Sequence, residues 1–263
     1  MDPLALLYLM VFLFWVPLLA LRSHSALQKG APLPAKSRLY LQIIIMLAIF
    51  GALSIYVGRV YHIPLFGTFN WNWQAAAASV AVMVAMLVTI PLRWRAAPDD
   101  VKRRLMLTRP QSADELGWWF LVCAAAGFFE EITYRGVLFS MLWYSTDSPW
   151  AAALISATAF AIGHAIQGWR AATVVFFFAW AAQGIVYLAG SLHYAIALHF
   201  TYDFLAGLIY IRLAREARQQ AREHVLAAEH SMALEGQAVG KVEEKIAEET
   251  ERILGRSLDS SQR

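Results

Sequence analysis

Long apolar runs separated by basic connections constrain the fold of this chain more than any other feature. Each run has at least the roughly 17 residues that an α-helix needs to cross a bilayer. The runs cover residues 3–21, 39–57, 74–92, 115–144, 150–166, 169–189 and 192–213. Because 59% of the residues are hydrophobic and the mean hydropathy is +0.48, the composition also lies outside the soluble range. The sequence predicts an all-α, polytopic membrane helix bundle of about seven transmembrane helices, and of eight if the sixth run breaks near Gln183 and Gly184.

Basic residues concentrate in alternate connections and so predict the orientation of the bundle. The first connection, which also holds Pro32 and Pro34, the third connection and the segment after the last run are rich in Arg and Lys. Under the positive-inside rule these segments face the cytoplasm, so we expect the amino terminus outside and the carboxyl terminus inside. Residues 1–21 lack the basic start and cleavage site of a signal peptide and should remain as the first transmembrane helix.

The expected organisation has three parts. Residues 1–113 form three transmembrane helices with basic cytoplasmic loops, residues 114–213 form the remaining bundle, and residues 214–263 form a charged cytoplasmic helical tail. Val239, Val242, Ile246 and Ile253 give the tail a heptad-like seam of only about two heptads, which favours a solvated helix over a coiled coil. The single cysteine, Cys123, excludes an internal disulfide and a cysteine-rich metal site.

Three ionisable residues, Glu130, Glu131 and Arg135, interrupt the fourth apolar run. Each charged side chain near a bilayer centre costs about 2.5–3.5 kcal/mol even on the most permissive scale, so function is the default reason for its presence. On an α-helix Glu131 and Arg135 share a face and can pair, while Glu130 projects about 100° away. We therefore assign Glu131 and Arg135 to a structural ion pair and Glu130 to the role of a general base. The alternative is a helix-packing network without catalysis.

Two later apolar runs carry further polar groups, and these favour the functional interpretation. His164 ends the fifth run, and His199 and Asp203 lie four residues apart on the seventh, so they share a helical face. A lone membrane histidine is more often a packing residue, but two of them with three carboxylates on separate helices indicate a common site. His24, His62 and His193 are assigned to loops or a helix start and receive no role. The zincin, nucleophile-elbow and aspartyl-protease signatures are absent, so the chemistry must depend on carboxylate and imidazole.

These motifs resemble the CPBP family of CAAX proteases and bacteriocin-processing or immunity enzymes, which includes the type II CAAX prenyl endopeptidases. The family carries Glu-Glu-x-x-x-Arg, Phe-x-x-x-His and His-x-x-x-Asn in order on successive helices. Here the motifs are Glu130 to Arg135, Phe160 to His164, and His199 to Asp203. The last position departs from the family pattern, because ionised Asp203 accepts hydrogen bonds and cannot donate one to an oxyanion as Asn does.

The resemblance implies an intramembrane endopeptidase in which Glu130 and His164 activate water and His199, with Asp203, stabilises the oxyanion. Glu131, Arg135 and Phe160 would support the site. The resemblance favours a glutamate-type enzyme without a required cofactor; zinc held by Glu130, His164, His199 and Asp203 remains an alternative.

The expected partners are a peptide or membrane-protein substrate and the lipid bilayer, and the expected location is the bacterial inner membrane as an integral multi-pass protein. No nucleic-acid partner is expected, because the net charge of +3 arises from the basic connections. A catalytically inactive scaffold or immunity protein and a proton-coupled transporter are the competing functions.

Overall fold

The computed structural model describes residues 2–29, 34–234 and 242–254, and the elements assigned within these ranges are helices. We number them α1 Pro3–Gln28, α2 Lys36–Val60, α3 Trp73–Ala96, α4 Asp99–Thr108, α5 Ala113–Thr146, α6 Pro149–Gly163, α7 Trp169–Ala189, α8 His193–Leu234 and α9 Val242–Leu254. The backbone widens to π-helical geometry at Val11–Trp15 within α1 and at Ala126–Leu138 within α5. Pro32 and Val239, which entered the sequence predictions, lie outside the described residues.

The predicted polytopic membrane bundle is confirmed. Among the described residues, six helices are long and apolar enough to cross a membrane: α1, α2, α3, α5, α7 and α8. The fifth predicted run forms α6, which is apolar but shorter, because it ends at Gly163 and is followed by a 3-10 turn and by Gly168 with φ of 95°. Helix α7 continues without interruption through Gln183 and Gly184, so the conditional eighth helix does not form.

The first of two compact units comprises residues Met1–Val88 and Gly117–Leu205. Aromatic contacts lie within its apolar core: Phe12 is 1% exposed and contacts Phe50 and Tyr134 edge to face, with ring centroids 5.4 and 6.0 Å apart. The π-helical part of α5 packs against α2, and α6 packs against α7. His24, assigned to a loop from sequence, lies in α1 and is buried, because that helix continues to Gln28.

The second unit comprises Thr89–Leu116 and Ala206–Arg263. In it α4 packs against α9, and Arg103 Nη1 donates a hydrogen bond of 3.3 Å to the Arg252 carbonyl. Buried Gln111 receives a hydrogen bond of 3.0 Å from Arg218 Nη2 at its side-chain oxygen. Helix α8 itself runs without interruption past residue 213, where the charged tail was expected to begin.

Candidate active site

The acidic motif lies on the widened part of α5, Ala126–Leu138. The amide of Phe139 bonds back to the carbonyl of Tyr134, which is the five-residue spacing of a π-helix. The sequence predicts α-helical spacing here, and the wider turn differs from that prediction. Single π-helical segments inside α-helices frequently mark functional sites.

Gly127 allows this segment to approach α8 closely. A Cβ atom at position 127 would lie 2.8 Å from the backbone nitrogen of Phe200, closer than real Cβ contacts. The two backbones thus meet one residue beyond His199. This close approach allows Glu131 of α5 to reach the imidazole of α8.

Glu131 lies at the centre of a buried cluster. Its Oε1 atom accepts a hydrogen bond of 2.7 Å from His199 Nδ1 and lies 3.1 Å from Arg135 Nη1. The side chains of Glu131 and Arg135 are 0% and 2% exposed. Because an ionised carboxylate only accepts, the proton of this hydrogen bond is carried by Nδ1. The guanidinium of Arg135 also lies 4.3 Å from the ring centroid of Phe160, a cation–π distance.

The other nitrogen of His199 faces the two more accessible carboxylates. Nε2 lies 3.7 Å from Glu130 Oε2 and 3.5 Å from Asp203 Oδ2. These side chains are 17% and 15% exposed, whereas Glu131 is fully buried. The imidazole therefore has two different sides. On one side the inaccessible carboxylate of Glu131 fixes the orientation of the ring, and on the other side a small molecule can approach the carboxylates of Glu130 and Asp203.

His164 completes the arrangement from the end of α6. Its Nδ1 lies 2.9 Å from the carbonyl of Phe160, which can only accept, so Nδ1 donates and Nε2 carries the lone pair in the neutral ring. The ring of Phe160 lies between the two imidazoles, with its centroid 4.5 Å from that of His164 and 6.1 Å from that of His199. The structure thus brings together all seven residues selected from the sequence: Glu130, Glu131, Arg135, Phe160, His164, His199 and Asp203.

The donor set bears on the zinc alternative. Within residues 2–29, 34–234 and 242–254, no group of three or more His, Cys, Asp or Glu side chains is arranged so that it could hold a metal ion. Nδ1 of His199 bonds Glu131 and Nδ1 of His164 bonds the Phe160 carbonyl; such bonds leave Nε2 of each ring available and also occur in metal-binding histidines. No step of the mechanism below is assigned to zinc.

Several residues around the site were not identified from the sequence. Phe178 of α7 packs against His199, with ring centroids 5.4 Å apart, and Trp119 Nε1 donates to the Asp203 carbonyl at 3.1 Å. Tyr8 and Ser54 lie on α1 and α2, which carry none of the three sequence motifs. In an apolar run, nothing in the sequence distinguishes an aromatic or hydroxyl residue that contacts a functional site from one that only packs in the core.

Comparison with known families gives one match. Residues 112–205 match the family described as type II CAAX prenyl endopeptidase Rce1-like. The matched segment contains all seven residues of the site, and the predicted resemblance to CAAX proteases is confirmed over it. No curated protein and no solved structure matches the chain.

Proposed function

We propose that this chain, whose residues 112–205 match the type II CAAX prenyl endopeptidase Rce1-like family, hydrolyses peptide bonds within the membrane through Glu130, His164, His199 and Asp203. One observation carries the proposal. His199 is held at Nδ1 by a fully buried carboxylate, while its Nε2 faces two partly exposed carboxylates at 3.7 and 3.5 Å. A packing network would not require carboxylates on the accessible side of the ring.

Glu130 acts as the general base in this proposal. Its carboxylate removes a proton from water, and the resulting hydroxide adds to the scissile carbonyl carbon. His164 assists, because its Nε2 lone pair accepts a hydrogen bond from the same water. The proton held by Glu130 is then transferred to the leaving amide nitrogen, so that the carboxylate is regenerated and no acyl-enzyme forms.

His199 stabilises the charge that develops on the carbonyl oxygen. In its protonated form Nε2–H donates to the oxyanion, and the negative charge of Glu131 at Nδ1 stabilises that protonated ring. Asp203 orients the imidazole from its accessible side. Glu131 and Arg135 hold the ring in place because the ion pair compensates both buried charges.

The proposal is tested with purified protein in lipid vesicles. The probes are a fluorogenic farnesylated CAAX peptide and the same peptide without the prenyl group. We expect Glu130→Gln and His164→Ala to lower kcat by about 10²–10⁴-fold, the range of general acid–base catalysis. We expect His199→Ala to lower kcat by about 10²–10³-fold, as for an oxyanion-hole donor.

Matched controls come from the exposed part of α8. Glu223→Gln and His224→Ala change the same residue types at exposed positions and should keep the native rate. Retained cleavage in all three site variants would refute the assignment. The peptide pair decides the substrate class: preferential cleavage of the farnesylated form identifies a prenyl-dependent enzyme, as the description of the matched family implies.

The enzyme should need no metal. Dialysis against a zinc chelator is expected to leave kcat unchanged. Elemental analysis of the dialysed, active protein should find far less zinc than one atom per chain. Loss of activity on chelation that zinc alone restores would overturn this part of the proposal.

The bacterial inner membrane is the proposed location, with the carboxyl terminus in the cytoplasm. A carboxyl-terminal green fluorescent protein fusion should fluoresce in bacterial cells, and a carboxyl-terminal alkaline phosphatase fusion should be inactive. The opposite pair of results would reverse the orientation.

A further inference from the structure

A buried cluster of hydroxyl groups joins α1 and α2 to the part of α5 that carries the acidic motif. Tyr8 of α1, Ser54 of α2, and Thr133 of α5 are 1%, 0% and 2% exposed. The Tyr8 hydroxyl is 2.8 Å from Ser54 Oγ, which is 2.9 Å from Thr133 Oγ1. Three hydroxyl groups from three helices therefore meet in an apolar environment, where an unpaired polar group is costly.

The hydrogens of this cluster can be assigned, since each hydroxyl has only one. Ser54 donates to the carbonyl of Phe50 at 2.8 Å, which can only accept. Ser54 Oγ then accepts from the hydroxyls of Tyr8 and Thr133. The single hydrogen of the Tyr8 hydroxyl is shared in a three-centre bond between Ser54 Oγ at 2.8 Å and the Thr133 carbonyl at 3.3 Å. All three hydroxyl groups are satisfied without solvent.

A fourth hydroxyl contacts the next residue of the same backbone. Ser156 of α6, 3% exposed, donates a hydrogen bond of 2.8 Å to the carbonyl of Tyr134. That carbonyl also accepts the amide of Phe139 in the five-residue pattern. Two successive carbonyls of the widened segment, at Thr133 and Tyr134, thus receive side-chain hydroxyls from neighbouring helices.

The two carbonyls lie in the part of the backbone that determines where the glutamates point. They lie between Glu131 and Arg135, within Ala126–Leu138. A π-helical turn is rarely stable by itself, and reversion to α-helical spacing would shift the register by one residue, or about 100° of rotation. Such a rotation would remove Glu130 or Glu131 from His199. External hydroxyl donors that bond this backbone would favour the widened form.

We infer that Tyr8, Ser54 and Ser156 are positioning residues, whose hydroxyls fix the widened backbone between Glu131 and Arg135 and so place both glutamates against His199. This inference rests on the proposed function for its kinetic consequence. Its structural part, the stability of the widened segment, is independent of whether the protein cleaves peptides.

The test compares Tyr8→Phe and Ser156→Ala with Tyr56→Phe and Thr158→Ala. Tyr56 is 59% exposed, and Thr158 donates only to the Leu154 carbonyl of its own helix. On the farnesylated CAAX peptide, the first two variants should lower kcat about tenfold with KM little changed, within the ~10²-fold that a 1 Å misplacement can cost. Both controls should keep the native kcat, and Ser156→Thr, which retains a hydroxyl, should recover at least part of the loss.

Amide hydrogen exchange of residues 126–138 provides the readout that does not depend on activity. Loss of one hydroxyl donor should make exchange in this segment roughly two- to tenfold faster, and the controls should not. If the native protein cleaves neither peptide, the proposed function fails, and hydrogen exchange alone still decides the positioning role. The inference would be overturned if residues 126–138 of both Tyr8→Phe and Ser156→Ala exchanged their amide hydrogens at the native rate. It would also be overturned if the fraction of unfolded protein fully explained the fall in kcat.

Discussion

Removal of Arg135 should destabilise the protein far more than removal of an exposed arginine in an equivalent pair. Arg135 and Glu131 lie 3.1 Å apart with side chains 2% and 0% exposed. At that distance two unit charges attract by about 5 kcal/mol for an effective dielectric constant of ~20. Arg135→Met leaves Glu131 buried without its cation, so we expect a loss of about 3–5 kcal/mol in the free energy of unfolding.

Arg212 provides the matched control. It also pairs with a glutamate four residues away, at 2.8 Å from Glu216, but the two side chains are 82% and 50% exposed. Arg212→Met should therefore cost only ~0–1 kcal/mol. Unfolding in mixed micelles of a mild detergent and dodecyl sulfate, followed by circular dichroism, gives both values under one set of conditions.

The double variant Glu131→Gln/Arg135→Met sharpens the test. It removes the uncompensated charge and keeps an oxygen that accepts the hydrogen bond of His199 Nδ1, so it should be more stable than Arg135→Met alone. Equal costs for Arg135→Met and Arg212→Met, or a double variant less stable than the single one, would refute a charge-compensating pair at this site.

Three further predictions concern two glycines and the pH dependence of stability at the start of α1. Gly127→Ala should lower the free energy of unfolding by about 1–3 kcal/mol, because the new Cβ would lie 2.8 Å from Phe200 N. By contrast, Gly184→Ala in α7, with nothing within 4 Å of its Cβ position, should stabilise by roughly 0.5–1 kcal/mol; the same micelle unfolding assay decides both. The hydrogen bond from the Tyr61 hydroxyl lowers the pKa of Asp2 below its ordinary value of 3.8. A lowered carboxylate pKa contributes stability above 3.8 that is lost as the pH falls through the folded value. This acid-dependent loss should be absent in Asp2→Asn and smaller in Tyr61→Phe, in which the amides of Leu4 and Ala5 still bond the carboxylate, as measured by unfolding at successive pH values.

Membrane architecture was predictable from the sequence because it depends on properties that each segment carries alone. The length and apolarity of a run determine whether it can span a bilayer, and six described helices meet that requirement. The fifth run behaved differently. Its helix ends at Gly163, and the turn to Gly168 depends on glycine geometry that an apolar run does not reveal.

The members of the candidate site were predictable because charged and imidazole groups are rare in apolar helices. Their contacts were not. The hydrogen bond between Glu131 and His199 joins residues 68 positions apart, and it requires the close approach of α5 and α8 at Gly127. The π-helical turn has the same origin, since its carbonyl partners, Tyr8 and Ser156, lie on other helices.

Glu130 is the residue on which the proposed chemistry depends most directly. The decisive measurement is the initial rate of cleavage of the farnesylated and unmodified peptides by the native protein and by Glu130→Gln, reconstituted at equal folded concentration, with Glu223→Gln as the control. We expect the native protein and the control to cleave at the same rate and Glu130→Gln to be slower by at least about 10²-fold. A Glu130→Gln protein that cleaves as fast as the native one would contradict the assignment of Glu130 as the base.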